Sequence, residues 1–252
     1  MNRGLSGKVI LVSGASGAMG RSCVDLLVRE RAKLSIMDLT PDVEKIANDV
    51  SNKGCEVSFS VGNITSIKDV RAFINKTVKT FGKIDGLLNI AAIYRGLINR
   101  EFTEIPEEEW NKVLNVNITG TWLLTKEAVP YMKEQKNGAI VNISSATVFF
   151  GAPGMLHYVT SKAAVLGMTK AMAQELGPNG IRVNCIAPGL LPTESSLERI
   201  SDDYVNVIKS TAALRRLATT EDIVETAMFL LSESSKSITG QTIIVDAGRI
   251  FL

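Results

Sequence analysis

Tyr158 and Lys162 stand four residues apart in the segment Tyr158-Val159-Thr160-Ser161-Lys162. On a helix, residues at i and i+4 lie one above the other, so the phenol and the amine would point the same way. An ammonium beside a phenol favours the phenolate and lowers its pKa from about 10 toward neutrality, which is what a general acid/base needs. Alone, such a pair is a solvated helix face, so its meaning depends on what else arrives beside it. Upstream, Val141-Asn142-Ile143-Ser144-Ser145 ends an apolar, β-branched run in two hydroxyls.

A second constellation lies near the start of the chain. Ser13-Gly14-Ala15-Ser16-Gly17-Ala18-Met19-Gly20 separates one apolar run from a helical pattern through Val24, Leu26, Leu27 and Val28. Glycines permit a tight turn and close backbone approach, and the new helix offers free N–H groups and a positive dipole end to a pyrophosphate. The next apolar run ends in Ser35-Ile36-Met37-Asp38. There the Asp38 carboxylate can accept hydrogen bonds from both hydroxyls of an adenosine ribose. A 2′-phosphate would meet like charge and no evident arginine, so NAD is expected rather than NADP.

These residues need a scaffold, and the periodicity supplies one. Short β-branched runs at Lys8–Ser13, Lys33–Met37, Glu56–Ser60, Ile84–Ile90, Ala139–Ile143, Arg182–Ile186 and Thr242–Val245 alternate with helical stretches. That alternation predicts an α/β fold, a Rossmann-like doubly wound parallel sheet of seven strands with helices on both faces. Thr40-Pro41 reads as an N-cap with proline at the first helical position, Pro106-Glu107-Glu108-Glu109 as an acidic first turn, and Gly177-Pro178 as a stop after a helix over Met155 to Leu176. Leu190 to about Ser210 breaks the alternation with Pro192, Thr193, Glu194, Ser195 and Ser196 and reads either as a substrate lid or as a surface loop.

Composition bounds the function. The chain has 252 residues, 45% hydrophobic and 21% charged, with no repeat or linker, and is expected to form one domain over residues 1–252. A net charge of +2 without a Lys/Arg-rich block argues against nucleic acid as a partner. No segment approaches the roughly 20 apolar residues of a membrane span, and the Val9 to Val12 run is too short for a signal-peptide core, so a cytoplasmic location is expected. Cys23, Cys55 and Cys185 read as reduced, buried thiols, and no His, Cys and carboxylate cluster suggests a metal.

The glycine turn, Asp38, Asn117 in Asn115-Val116-Asn117-Ile118-Thr119-Gly120, Ser145, and Tyr158 with Lys162 together resemble the classical short-chain dehydrogenase/reductase family, over essentially the whole chain. The resemblance implies that Tyr158 exchanges a proton with the substrate oxygen and Ser145, which has the family's spacing to the tyrosine, hydrogen-bonds that oxygen. It implies that Lys162 binds the nicotinamide ribose and lowers the tyrosine pKa, and that Asn117 holds a water in a proton relay. It assigns to cofactor binding Gly14, Ser16, Gly17, Ala18, Met19, Gly20, Asp38, Asn63, Ile64, Asn89, Ala91, Tyr158, Lys162, Pro188, Gly189, Leu191 and Thr193. Departures from the family pattern are Ala18 in place of a glycine, Asn89-Ile90-Ala91-Ala92, Asn63 where an aspartate commonly contacts adenine, and Ala247 in the terminal Asp-Gly-Gly.

By the same analogy Ser145, Thr147, Phe149, Tyr94 and Leu190 line the substrate pocket, a set suited to an alicyclic, terpenoid, steroid-like or aromatic-derived small molecule. For Phe149 and Phe150 core or subunit packing is an equal reading. His157, adjacent to Tyr158 on a helix, points about a hundred degrees away and is read as a packing residue. The expected reaction is NAD-dependent interconversion of a secondary alcohol and a ketone. The alternatives are a 3-oxoacyl-thioester reductase of the acyl-carrier-protein type and a non-catalytic dinucleotide-sensing scaffold. The resemblance also implies a homotetramer, built on the helices after Pro106 and Met155 and on the C-terminal segment.

Overall fold

The computed structural model describes residues 3–193, 196 and 200–251. Seven strands, β1 (Val9–Ser13), β2 (Lys33–Asp38), β3 (Val57–Val61), β4 (Gly86–Asn89), β5 (Gly138–Ile143), β6 (Ile181–Pro188) and β7 (Thr242–Val245), form one parallel sheet in the order β3-β2-β1-β4-β5-β6-β7. β1, β4 and β5 are buried at every position, the pattern of strands covered on both faces. This is the doubly wound fold that the alternation predicted. Most boundaries shift by one residue, and the larger differences are that β4 is shorter than its apolar run and β6 extends two residues further to Pro188.

Helices α1 (Ala18–Arg29) and α2 (Asp42–Asn52), joined late in the chain by α9 (Thr220–Leu231), cover one face through Val24, Leu27, Val43, Ile46, Val224 and Met228. Helices α3 (Ile67–Phe81), α5 (Thr121–Gln135) and α7 (Leu156–Leu176) cover the other through Phe73, Ile74, Leu124, Met132, Ala173 and Leu176. The expected acidic first turn belongs to α4 (Glu107–Leu114), which packs on α7. A single turn, α6 (Thr147–Phe150), follows β5. Helix α8 (Asp202–Thr211) lies within the expected lid, of which positions 194, 195 and 197–199 are outside the described residues.

The Thr40-Pro41 expectation needs correction. Helix α2 starts at Asp42 with Pro41 already in helical conformation and no side-chain cap, and the Thr40 hydroxyl donates instead to Asp38 Oδ1 at 3.3 Å. The carboxylate two residues back competes for that hydroxyl. Between α4 and α5 the chain runs through a π-helical turn at Asn115–Gly120 that the sequence did not announce. The direction of winding reverses between β1 and β4, and there the carboxyl ends of the strands open a cleft of about 1480 Å³.

Candidate active site

At one end of this cleft the glycine turn brings β1 into α1. Gly14 holds φ +72°, and a Cβ on it would lie 2.8 Å from the Ala91 backbone; a Cβ on Gly20 would lie 2.1 Å from the Gly14 carbonyl oxygen. Only glycine fits either position. Ala18, by contrast, heads α1 in ordinary helical geometry, so its departure from the family pattern strains nothing. The N-terminus of α1 has no side-chain cap and no acid in its first turn, and Ser16 Oγ is buried without a partner. Free N–H groups, a dipole end and an orphaned hydroxyl beside a backbone-tight turn are features that a dinucleotide's diphosphate fits.

Asp38 closes this end. Its Oδ2 accepts the Ser16 N–H at 2.8 Å and its Oδ1 accepts the Thr40 N–H at 3.1 Å, tying the end of β2 to the glycine turn. Leu39, Thr40 and Asp42 line the wall beside it, a set not anticipated from sequence. Asn63 Oδ1 accepts from the N–H and hydroxyl of Thr65, both at 2.9 Å, and Ile64 packs where a Gly120 side chain would otherwise sit. Asn89 does not line the cleft. It lies beneath, donating to Thr125 Oγ1 at 3.0 Å and Asn142 Oδ1 at 2.8 Å, and so braces β4 against its neighbours.

At the other end Tyr158 and Lys162 face the cleft from the first turns of α7. Lys162 is 4% exposed, donates from Nζ to the Ile143 carbonyl at 2.8 Å, and holds that nitrogen 5.8 Å from the Tyr158 ring centre. Burial pushes its pKa down to about 8, against a smaller opposing effect of Cys185. The two serines divide their work. Ser144 donates its hydroxyl to the Lys162 carbonyl at 2.7 Å, fixing β5 to α7. Ser145 Oγ accepts from the Thr147 N–H at 3.2 Å and the Thr147 hydroxyl at 2.9 Å, which leaves its own proton to donate to a ligand oxygen.

Asn117 stands behind this wall in the π-turn, 1% exposed. Its Oδ1 accepts the Ile93 N–H at 2.7 Å, and its Nδ2 donates to the Ile93 carbonyl at 3.2 Å and to Ser161 Oγ at 2.9 Å. Both carboxamide N–H groups are thereby spent on bracing the loop after β4 against α7, and the Asn117 backbone carbonyl accepts the Thr121 hydroxyl at 2.9 Å. His157, fully buried, places Nε2 3.0 Å from Glu109 Oε1 on α4. A carboxylate acceptor puts the ring proton on Nε2, and this residue packs α7 onto α4.

The substrate end is walled by Tyr94, Leu97, Met155, Leu190 and Leu191, with the Tyr94 ring centre 5.2 Å from that of Tyr158. Pro188, Gly189 and Thr193 line the wall after β6, where Gly189 lies too close to Asp246 to carry a Cβ. Phe149 does not line the cleft; Phe150 does. On the one turn of α6 adjacent side chains diverge by about a hundred degrees, so a single member of the pair can face inward. Arg249 and Ile250 of the C-terminal segment also reach the cleft. Phe251, next to them, is 81% exposed.

The fold and the cleft define a dinucleotide-dependent oxidoreductase as a class, and comparisons with known proteins narrow it. A family model described as "Enoyl-(Acyl carrier protein) reductase" matches residues 14–249. The 3-oxoacyl-[acyl-carrier-protein] reductase FabG of Thermotoga maritima is 34% identical over 247 residues, covering 98% of this chain and 99% of that one. Among solved structures, NAD+-bound xylitol dehydrogenase superposes with a TM-score of 0.89 at 29% identity over 97% of this chain and 99% of that one. Carveol dehydrogenase from Mycobacterium avium, in complex with NAD, gives 0.90 at 26% identity over 99% of both. The chain belongs to the short-chain dehydrogenase/reductase family.

Proposed function

We propose that this protein is an NAD(H)-dependent oxidoreductase that interconverts a secondary alcohol and a ketone on a largely apolar small molecule. The observation that carries the reading is the distribution of charge along one cleft. Asp38 and Asp42 line the wall beyond β2, whereas the cations of the lining, Arg95, Lys112, Lys162 and Arg249, come from segments beyond β4, β5 and β7. Among the described lining residues a 2′-phosphate at the Asp38 end would meet carboxylates and no cation, the nearby Arg21 being bonded from Nε to the Ser16 carbonyl at 2.8 Å, while two ribose hydroxyls would meet an acceptor.

In the oxidation direction Tyr158 takes the proton of the substrate hydroxyl, and Ser145 donates a hydrogen bond to the same oxygen. NAD, when bound, would supply the hydride acceptor for the substrate carbon. Lys162, held by the Ile143 carbonyl, binds the nicotinamide ribose and favours the phenolate. Asn117 keeps the loop after β4 and α7 in register, so that Tyr94 and Tyr158 stay in contact. Residues 190–210 serve as the lid of a single domain, the assembly is a homotetramer, and the enzyme works in the cytoplasm; among the described residues no helix is long and apolar enough to cross a membrane.

A second reading, 3-oxoacyl-thioester reduction, draws on the name of the Thermotoga relative. The two separate on cofactor choice. With NAD and NADP supplied in parallel to a panel of apolar secondary alcohols, the absorbance of reduced nicotinamide should rise with NAD alone. A rise only with NADP, together with NADPH-dependent reduction of a 3-oxoacyl thioester, would replace the first reading by the second.

A further inference from the structure

Arg249 is one of the lining cations that the cofactor and the proton chemistry leave unused. Its backbone is firmly placed: its N–H donates to Asp246 Oδ1 at 3.1 Å, and the carbonyls of Ala247 and Gly248 accept from Leu214 and Ala213 at 3.0 and 2.9 Å. Its side chain is half-buried and lines the cleft, with the guanidinium carbon 4.8 Å from the centre of the Phe150 ring. The carboxylate nearest in sequence is not its partner. Asp246 spends Oδ1 on the Gly248 and Arg249 amides and leaves Oδ2 buried and unpaired, so the guanidinium is extended over Phe150 instead of folded back. Among the described residues no carboxylate lies within ion-pair distance of it.

An arginine that stacks on an aromatic ring uses the face of its guanidinium and keeps its N–H donors, which lie in the plane, for a bidentate acceptor. Phe150 sits five residues beyond Ser145, roughly 7.5 Å along a helical path. Tyr94, whose ring centre lies 5.2 Å from that of Tyr158, and Leu190 and Leu191 give the same cleft apolar surface. Of the other charges in the lining, Glu109 is bonded by Arg100 and His157, Asp246 holds the Gly248 and Arg249 amides through Oδ1, and Arg95 and Lys112 add positive charge.

From this geometry we infer that Arg249 receives a carboxylate of the substrate, and that the substrate is an oxo acid or hydroxy acid whose reacting carbon and carboxylate are separated by an apolar spacer. The inference rests on the proposed alcohol/ketone reading and makes its substrate class specific. Arg249 then selects substrate and takes no part in proton or hydride transfer.

The test uses the full chain with NADH and straight-chain oxo acids of increasing length, each paired with its carboxamide. Oxidation of NADH gives kcat/KM, and quenching of bound-NADH fluorescence gives affinity without requiring turnover. At the preferred chain length the acid should exceed its amide by at least ten-fold in both measures, and Arg249→Gln should bring that ratio close to one by lowering the acid values far more than the amide values. Arg249→Lys, which keeps the charge and loses the fork, should fall between. An acid-to-amide ratio near one in the unaltered protein, an unchanged ratio in Arg249→Gln, or no binding of any pair overturns the inference. An acid preference in fluorescence without NADH oxidation upholds this anion seat and counts against the alcohol/ketone reading instead.

Discussion

Lys162 is charged at neutral pH in a place that disfavours charge. Its drop from the ordinary 10.5 to about 8 corresponds to a folding penalty of roughly 3 kcal/mol. The sign follows from proton uptake. Below about pH 8 folded and unfolded chains both hold the proton and the penalty is complete; between about 8 and 10.5 only the unfolded chain holds it, so stability rises with pH until the penalty is gone. Lys162→Met should therefore unfold at higher temperature than the unaltered protein at pH 7 without cofactor, by an advantage that shrinks through that interval, and should be inactive. A stability difference that does not vary with pH would contradict this account. The pairing of Tyr158 with Lys162 was legible because it depends only on helical spacing, and the serines because they end a strand. The contacts of Glu109 with His157 and of Arg249 with Phe150 were not, since the partners are 48 and 99 residues apart and no local rule joins them. Which of Phe149 and Phe150 faces the cleft was not legible, because the sequence does not give the phase of a single helical turn.

The strands were readable as elements because burial on both faces forces uninterrupted apolar, β-branched sequence. The π-turn at Asn115–Gly120 was not readable, because its cause is tertiary: Asn117 reaches across to the backbone of Ile93 and to Ser161, and the helix yields one extra residue to let it. Helices also carry the assembly prediction. On α5 and α7, Trp122 and Leu156 are exposed, and a Cβ on Gly167 would meet nothing within 4 Å of this chain. These helices are expected to pair between subunits, and Gly167→Trp, which the fold has room for, should break the pairing. Sedimentation equilibrium should give the mass of four chains for the unaltered protein and a smaller assembly for the variant. A single-chain mass for the unaltered protein at micromolar concentration would remove the homotetramer.

At the scale of the molecule, the reversal between β1 and β4 decides where everything happens, because segments distant in sequence leave the sheet there at one edge. The cleft they form is polarised, with the Asp38 carboxylate and the uncapped α1 at one end, and Tyr158, Ser145 and Lys162 at the other. Its location followed from the alternation of strands and helices, and its cofactor end from a local glycine motif. The substrate end was less legible, since loops and the chain terminus build it. Tyr158→Phe tests the central claim most directly, as it removes one oxygen from this cleft. Calorimetric NAD affinity and NADH formation would be measured on the same preparation. Affinity should stay within about three-fold, while turnover of the best alcohol should fall by at least 10²-fold, the least that a lost general acid/base costs; turnover within ten-fold of the unaltered protein would contradict the assignment.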